Sequence, residues 1–310
     1  MRKVFITRRI PSVAKEILQE NFEVYGSNKN EPYPGDKLAD IVTDYDAVLT
    51  TVSEKFNKMI LKQEGNLKVI SNYAVGLDNI DVKYAESVGI TVYNTPDVVT
   101  NSTADLTFAI LLSLIRKISS ACDFVRKDQW KTWDPELFLG EELGGKVFGI
   151  LGFGKIGQAV ARRAVGFGLD IIYYNHPNKD VDSYLRSYVT LVSLNELLEK
   201  SDYISIHLPF TSETEGFINK QTINKMKQKP IILNISRGKI INTDDLVEAL
   251  NSGKIRGVGL DVTFPEPLRG NHPLCHFDNS IVVPHIGTAT QECRNDMARL
   301  AAQNIINHFY

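Results

Sequence analysis

The chain has 310 residues, 43% of them hydrophobic and 23% charged, with a net charge of −2; the length suggests roughly two domains and the composition an ordinary globular protein. So small a net charge creates no field that would draw it to nucleic acid or an anionic membrane, and no run of about 18 apolar residues offers a membrane span. Three cysteines, Cys122, Cys275 and Cys293, stand far apart without metal-ligand spacing, which fits a reducing cytoplasm, and the N-terminus lacks the apolar region and cleavage site of a secretory signal.

Short β-branched runs alternate with helical patterns from the start. Strands are expected at Val4–Thr7, Phe22–Tyr25, Ala47–Thr51, Val69–Tyr73 and Thr91–Tyr93. Helices are expected near Ser12–Glu20, Phe56–Glu64 and Val82–Ser87, with a polar Pro/Gly-containing loop at Ser27–Gly35. The segment Thr100–Arg126 comes next. Asn101, Ser102 or Thr103 can cap it, and its nearly unbroken apolar run from Ala104 to Ile118 predicts a helix buried on most sides, along the seam between two units. A second set of strands follows at Lys146–Leu151, Asp170–Tyr174, Tyr203–Leu208, Ile231–Ile235, Gly257–Val262 and Ile281–Val283. Its helices are expected near Lys155–Phe167, Leu194–Glu199, Lys220–Met226 and Asp244–Ser252. A last helix, Ala289–Phe309, carries Met297, Leu300, Ala301, Ile305 and Ile306 on one face and returns the chain to the first unit. Two alternating sets of continuous apolar strands imply an α/β protein of two doubly wound parallel-sheet domains, Rossmann- or flavodoxin-like, with a cleft between them.

Gly152-Phe153-Gly154-Lys155-Ile156-Gly157 matches G-x-G-x-x-G between a strand and an Ala-rich helix. Gly152 permits the tight turn, Gly154 lets a pyrophosphate approach the backbone, and Gly157 lets the helix pack on the strand. Free amides at the helix start then stabilise the anion. An acidic residue about 20 positions further on ordinarily binds the ribose hydroxyls of NAD. Here the next strand ends in Tyr174-Asn175-His176-Pro177-Asn178-Lys179, with no carboxylate at its tip. Asn175, His176 and Lys179 can instead accommodate a 2′-phosphate, which tilts the expectation toward NADP(H) over NAD(H). The dinucleotide-binding domain is therefore expected at 100–285, and a substrate domain at 1–99 plus 286–310.

Arg237, Glu266 and His285 each follow a strand of the second unit, and in a parallel α/β sheet the carboxyl ends of the strands line the ligand crevice. The three residue types suit reduction of a 2-keto acid. Arginine is a fixed, forked cation able to orient a carboxylate and a carbonyl. A histidinium can protonate the carbonyl oxygen, a role worth about 10²–10⁴-fold. A carboxylate beside the histidine favours its charged form and holds the ring.

Asn234-Ile235-Ser236-Arg237-Gly238, Gly259 through Leu268 (GLDVTFPEPL) and Pro284-His285-Ile286-Gly287-Thr288-Ala289-Thr290 strongly resemble the D-isomer-specific 2-hydroxyacid dehydrogenase family. The resemblance spans nearly the whole chain. It implies that Arg237 binds substrate, that His285 is the acid/base and that Glu266 is its partner. Thr288 stands where serine is common, a departure that keeps the hydroxyl. The loop Asn72 through Asp81 resembles the family's substrate loop, which implies that the amides of Val75 and Gly76 hold the substrate carboxylate across the cleft from the cofactor. The same resemblance puts Thr103 near the nicotinamide end and Lys155 and Ile156 along the pyrophosphate. It sets His207, Pro209 and Thr214 at the strand end below the cofactor, and Ile235, Asp261, His285 and Gly287 near the nicotinamide.

Within the family the similarity leans toward glyoxylate/hydroxypyruvate reductases, carried by Thr95 through Thr100, Asp261 through Leu268, and Trp130-Lys131-Thr132-Trp133 in the arm before the glycine loop. In such relatives the arm crosses to a second subunit. The resemblance thus implies a homodimer in which Trp133 reaches the neighbour's substrate pocket. Two alternatives stay open: a D-lactate-type dehydrogenase of the same family, and a dinucleotide-sensing protein resembling the corepressors that share this fold.

Overall fold

The computed structural model describes residues 1–26, 30–62, 64–175 and 180–310. The chain divides into two units, Met1–Val99 with Thr288–Tyr310, and Thr100–Gly287. No helix among the described residues is long and apolar enough to cross a membrane.

In the first unit, β1 (Lys3–Ile6), β2 (Glu23–Gly26), β3 (Ala47–Thr50), β4 (Val69–Asn72) and β5 (Thr91–Tyr93) form a parallel sheet in the order β2-β1-β3-β4-β5. β3 and β4 are buried along their whole length, as befits strands covered on both faces. The C-terminal helix Gln291–Phe309 packs against β3, β4 and the helix Val13–Gln19. Buried Ala298, Ala301 and Ala302 bring its backbone close enough for Ser71 Oγ to donate to Ala301 O at 2.8 Å and Tyr73 Oη to Arg294 O at 2.7 Å. Thr290 caps this helix by accepting from the Cys293 amide.

The second unit holds β6 (Val147–Leu151), β7 (Asp170–Tyr174), β8 (Val189–Leu191), β9 (Tyr203–Ile206), β10 (Ile231–Asn234), β11 (Gly257–Leu260) and β12 (Ser280–Val282). They run parallel in the order β12-β11-β10-β9-β6-β7-β8. The winding reverses between β6 and β9, and such a switch point opens a crevice at the carboxyl ends of the strands. Ile286 and Gly287 stay with this unit because Asp261 accepts both their amides while Ser102 Oγ donates to Gly287 O.

Three elements differ from expectation. The segment Thr100–Arg126 is two helices, Thr100–Ile115 and Ile118–Arg126, broken at Lys117, which is left-handed with φ 52°. The first is largely buried, whereas the second buries no residue. Asn101, Ser102 and Thr103 lie inside the first turn rather than capping it. A helix also spans Gly35–Asp44, burying Leu38, Ile41 and Val42, and Gly35 opens it rather than closing a loop. The short edge strand β8 is the third difference.

Candidate active site

β6 runs directly into Gly152, whose φ of +93° favours a residue without a side chain. A Cβ there would stand 2.7 Å from the carbonyl carbon and oxygen of His207, just past β9. A Cβ on Gly157 would overlap the Gly152 carbonyl oxygen, so the helix Lys155–Gly166 packs hard onto the turn. This helix begins at Gly154 without a side-chain cap. The amides of its first turn, those of Lys155, Ile156 and Gly157, have no acceptor within the helix itself and favour an anion. These features fit a dinucleotide pyrophosphate: bare backbone, a helix start, and the switch point between β6 and β9. When bound, a nicotinamide dinucleotide supplies the hydride.

The Gly152 amide donates to Tyr174 O at 2.9 Å, which sets half-buried Asn175 next to the turn. His176 and Lys179 lie outside the described residues. Sequence reasoning passed over Gln158. Its side chain donates to Phe153 O at 3.2 Å and Asp180 O at 2.9 Å and accepts from the Asp182 amide at 2.8 Å, tying the chain beyond the β7 tip back to the glycine turn.

At the end of β9, His207 Nε2 lies 2.7 Å from Ser205 Oγ. The residue surface is only partly covered, yet burial of the ring pulls its pKa down to about 3, so the imidazole is neutral. Thr214 Oγ1 donates to Pro209 O at 2.6 Å and accepts from the Thr211 amide at 2.8 Å. Thr214 therefore staples the loop that carries Pro209.

Thr103, Ile235, Asp261 and Gly287 converge although they come from four separate segments. A Cβ on Gly287 would stand 2.9 Å from Asp261 Oδ2 and 3.7 Å from both Ile235 Cγ2 and Thr103 Oγ1. Asp261 is 2% exposed. Its Oδ1 accepts from the Ile286 amide at 2.6 Å, its Oδ2 from the Gly287 amide at 2.9 Å, and its carbonyl from the His285 amide at 2.9 Å. Burial outweighs these donors and lifts its pKa above the ordinary carboxylate value. The clamp holds His285 at φ 53°, a left-handed conformation costing about 1–3 kcal/mol for a residue with a Cβ. The motif drew attention to Asp261 as a cofactor contact, but only the structure shows it gripping the histidine turn.

Arg237, Glu266 and His285 follow β10, β11 and β12, which are adjacent in the sheet. His285 Nδ1 lies 2.6 Å from Glu266 Oε1, and Glu266 Oε2 accepts from the Thr263 amide at 3.4 Å. Partial burial pushes the Glu266 carboxyl up. The hydrogen bond and charge of His285, the Thr263 N–H and the charge of Arg237 pull further the other way, and the carboxyl sits below its ordinary value. Glu266 is thus an anion at neutral pH, and its bond to Nδ1 leaves Nε2 to face a reactant. Arg237 is held by its backbone. Asn234 Nδ2, fully buried at the tip of β10, donates to Arg237 O at 2.9 Å, and Arg237 Nη1 donates to Ser236 O at 2.9 Å. Ser236 Oγ donates to Leu208 O, joining the β10 and β9 ends. Such an arrangement can orient an anion beside a proton donor backed by a carboxylate. Trp133 stands apart from these clusters, 79% exposed in the arm. Val75 and Gly76 lie in the first unit, in the loop after β4.

Residues 108–287 match the family model described as D-isomer specific 2-hydroxyacid dehydrogenase, NAD binding domain. The chain belongs to this family. It is 44% identical over 308 residues to a glyoxylate reductase of Pyrococcus furiosus, covering 98% of this chain and 91% of that one. A solved structure of the TT0316 protein of Thermus thermophilus superposes with a TM-score of 0.90 at 37% identity, covering 98% and 96% of the two chains. A glyoxylate reductase from Paecilomyes thermophila superposes at 0.87 with 30% identity, covering 99% and 94%. This dehydrogenase is accordingly an oxidoreductase that works on a keto/hydroxy acid pair with a nicotinamide dinucleotide.

Proposed function

We propose that the chain reduces glyoxylate or hydroxypyruvate to the corresponding 2-hydroxy acid, with NADP(H) preferred over NAD(H). The observation that carries this reading is the 2.6 Å pair of His285 Nδ1 and Glu266 Oε1 beside the Arg237 strand end. In the proposed reduction His285 donates the proton from Nε2 to the carbonyl oxygen, Glu266 stabilises the imidazolium, and Arg237 together with the Val75 and Gly76 amides orients the substrate. Thr103, Ile235, Asp261 and Gly287 line the nicotinamide end, and Asn175, His176 and Lys179 take the 2′-phosphate. The similarity to glyoxylate reductases supports the substrate class.

The proposed assembly is a homodimer in which Trp133 reaches the substrate pocket of the neighbouring copy. Its support is the helix Ile118–Arg126, in which no residue is buried, and the exposed Ile118, Val125, Trp130, Trp133, Leu137 and Leu139 in and after it, apolar side chains of the kind interfaces cover. Steady-state rates with NADPH and NADH against glyoxylate, hydroxypyruvate and pyruvate test the activity. The expected result is a higher kcat/KM for the first two acids and for NADPH; a marked preference for NADH or for pyruvate overturns the corresponding part. Light scattering on the purified protein tests the dimer.

A further inference from the structure

We propose that Asn94 is a positioning residue that aims the substrate-binding amide of Gly76. The proposal rests on the role given to the Val75–Gly76 loop, and it concerns how that loop is held. Asn94 lies just beyond β5, and its Nδ2 donates to Val75 O at 2.8 Å. The neighbouring Thr95 amide donates to Ala74 O at 2.8 Å. In a trans peptide the C=O and the following N–H point in opposite directions. Anchoring the Ala74 and Val75 carbonyls on the Asn94–Thr95 segment therefore turns the Val75 and Gly76 N–H groups away from that segment, side by side, as a two-amide anion cradle needs.

The next peptide is fixed by a second route. Asn72 Nδ2 donates to Gly76 O at 2.9 Å and to Asn79 Oδ1 at 3.1 Å. Asn79 Nδ2 in turn donates to Thr51 O and Glu54 O, each at 3.0 Å. The Glu54 side chain is fully buried and pairs with Arg8 Nε at 2.9 Å. Three consecutive carbonyls, Ala74 to Gly76, are thus each held, the first two by the Asn94–Thr95 segment and the third by Asn72 at the end of β4. Asn94 is itself tethered, its carbonyl accepting from Asn304 Nδ2 at 3.0 Å. Of these donors, Asn94 is the side chain whose bond sets the plane of the Gly76 N–H. Val75, 39% exposed, has little packing to do so in its place.

The test is Asn94→Ala beside Asn94→Asp, which keeps the shape but turns an oxygen toward Val75 O in place of the donor. Both are expected to raise KM for glyoxylate about tenfold, the loss of one oriented hydrogen bond, with kcat, the NADPH dissociation constant and the thermal midpoint near wild type. A uniform loss of stability and kcat with KM unchanged, or wild-type KM in both variants, overturns the positioning role. Backbone amide resonances of Val75 and Gly76, followed as oxamate is added to the NADPH-bound wild type, separate the two layers. Shifts at these amides with unchanged variant KM overturn Asn94 alone. No shift at either amide overturns the loop reading and the Asn94 role with it.

Discussion

Replacing Glu266 by Gln keeps the shape beside His285 and removes one charge. With Nδ1 and Oε1 at 2.6 Å, the charge centres lie about 4 Å apart, where two unit charges attract by about 1 kcal/mol in water and about 4 kcal/mol at an effective dielectric of 20. The side chains of His285 and Glu266 are 34% and 43% exposed, and solvent screening of such a pair puts the attraction near the lower end, about 1–2 kcal/mol. Removing an attraction of this size corresponds to roughly a tenfold loss of rate. Reduction draws its proton from the His285–Glu266 pair, so Glu266→Gln is expected to be slower in that direction. The wild-type carboxyl sits below its ordinary value; its contribution is present above that ordinary value and is lost as pH falls through the depressed one. The assay is kcat for glyoxylate with NADPH from about pH 5 to 9, with His285→Ala, expected to lose about 10²–10⁴-fold, as the floor. A Glu266→Gln profile that overlays wild type across the range would refute the proposed partnership.

Other outcomes follow from the same geometry. Gly152→Ala is expected to abolish measurable NADPH binding in a fluorescence titration, because the added Cβ would sit 2.7 Å from the His207 carbonyl at a φ of +93°; undiminished affinity would show that the turn is not the pyrophosphate cradle. His207 has a folded pKa of about 3 against an ordinary 6.5. The unfolded chain binds this proton first, so stability is full above 6.5 and erodes as pH falls toward 3. Between these pH values the thermal midpoint of wild type should fall relative to that of His207→Gln as the pH is lowered, and parallel curves would contradict a buried neutral imidazole.

Local sequence determined the strands other than β8, the glycine turn and the residue types of the site, because period, turn chemistry and strand-end placement are properties of short segments. Even the missed helix Gly35–Asp44 has Leu38, Ile41 and Val42 at helical spacing; the Pro34-Gly35 start obscured it. The break at Lys117 had no such signal, since neither proline nor glycine stands there. At the break the Glu141 amide donates to Ile115 O at 3.2 Å, a bond between residues far apart in the chain. The same holds at the site. Arg237, Glu266 and His285 were legible one by one, but their adjacency depends on the order β10, β11, β12 in the sheet. The grip of Asp261 on the histidine turn and of Asn94 on Val75 needs carbonyls and amides brought together by the fold. Backbone donors and acceptors are identical at every residue, so sequence carries no mark of which will meet; tertiary structure alone decides that.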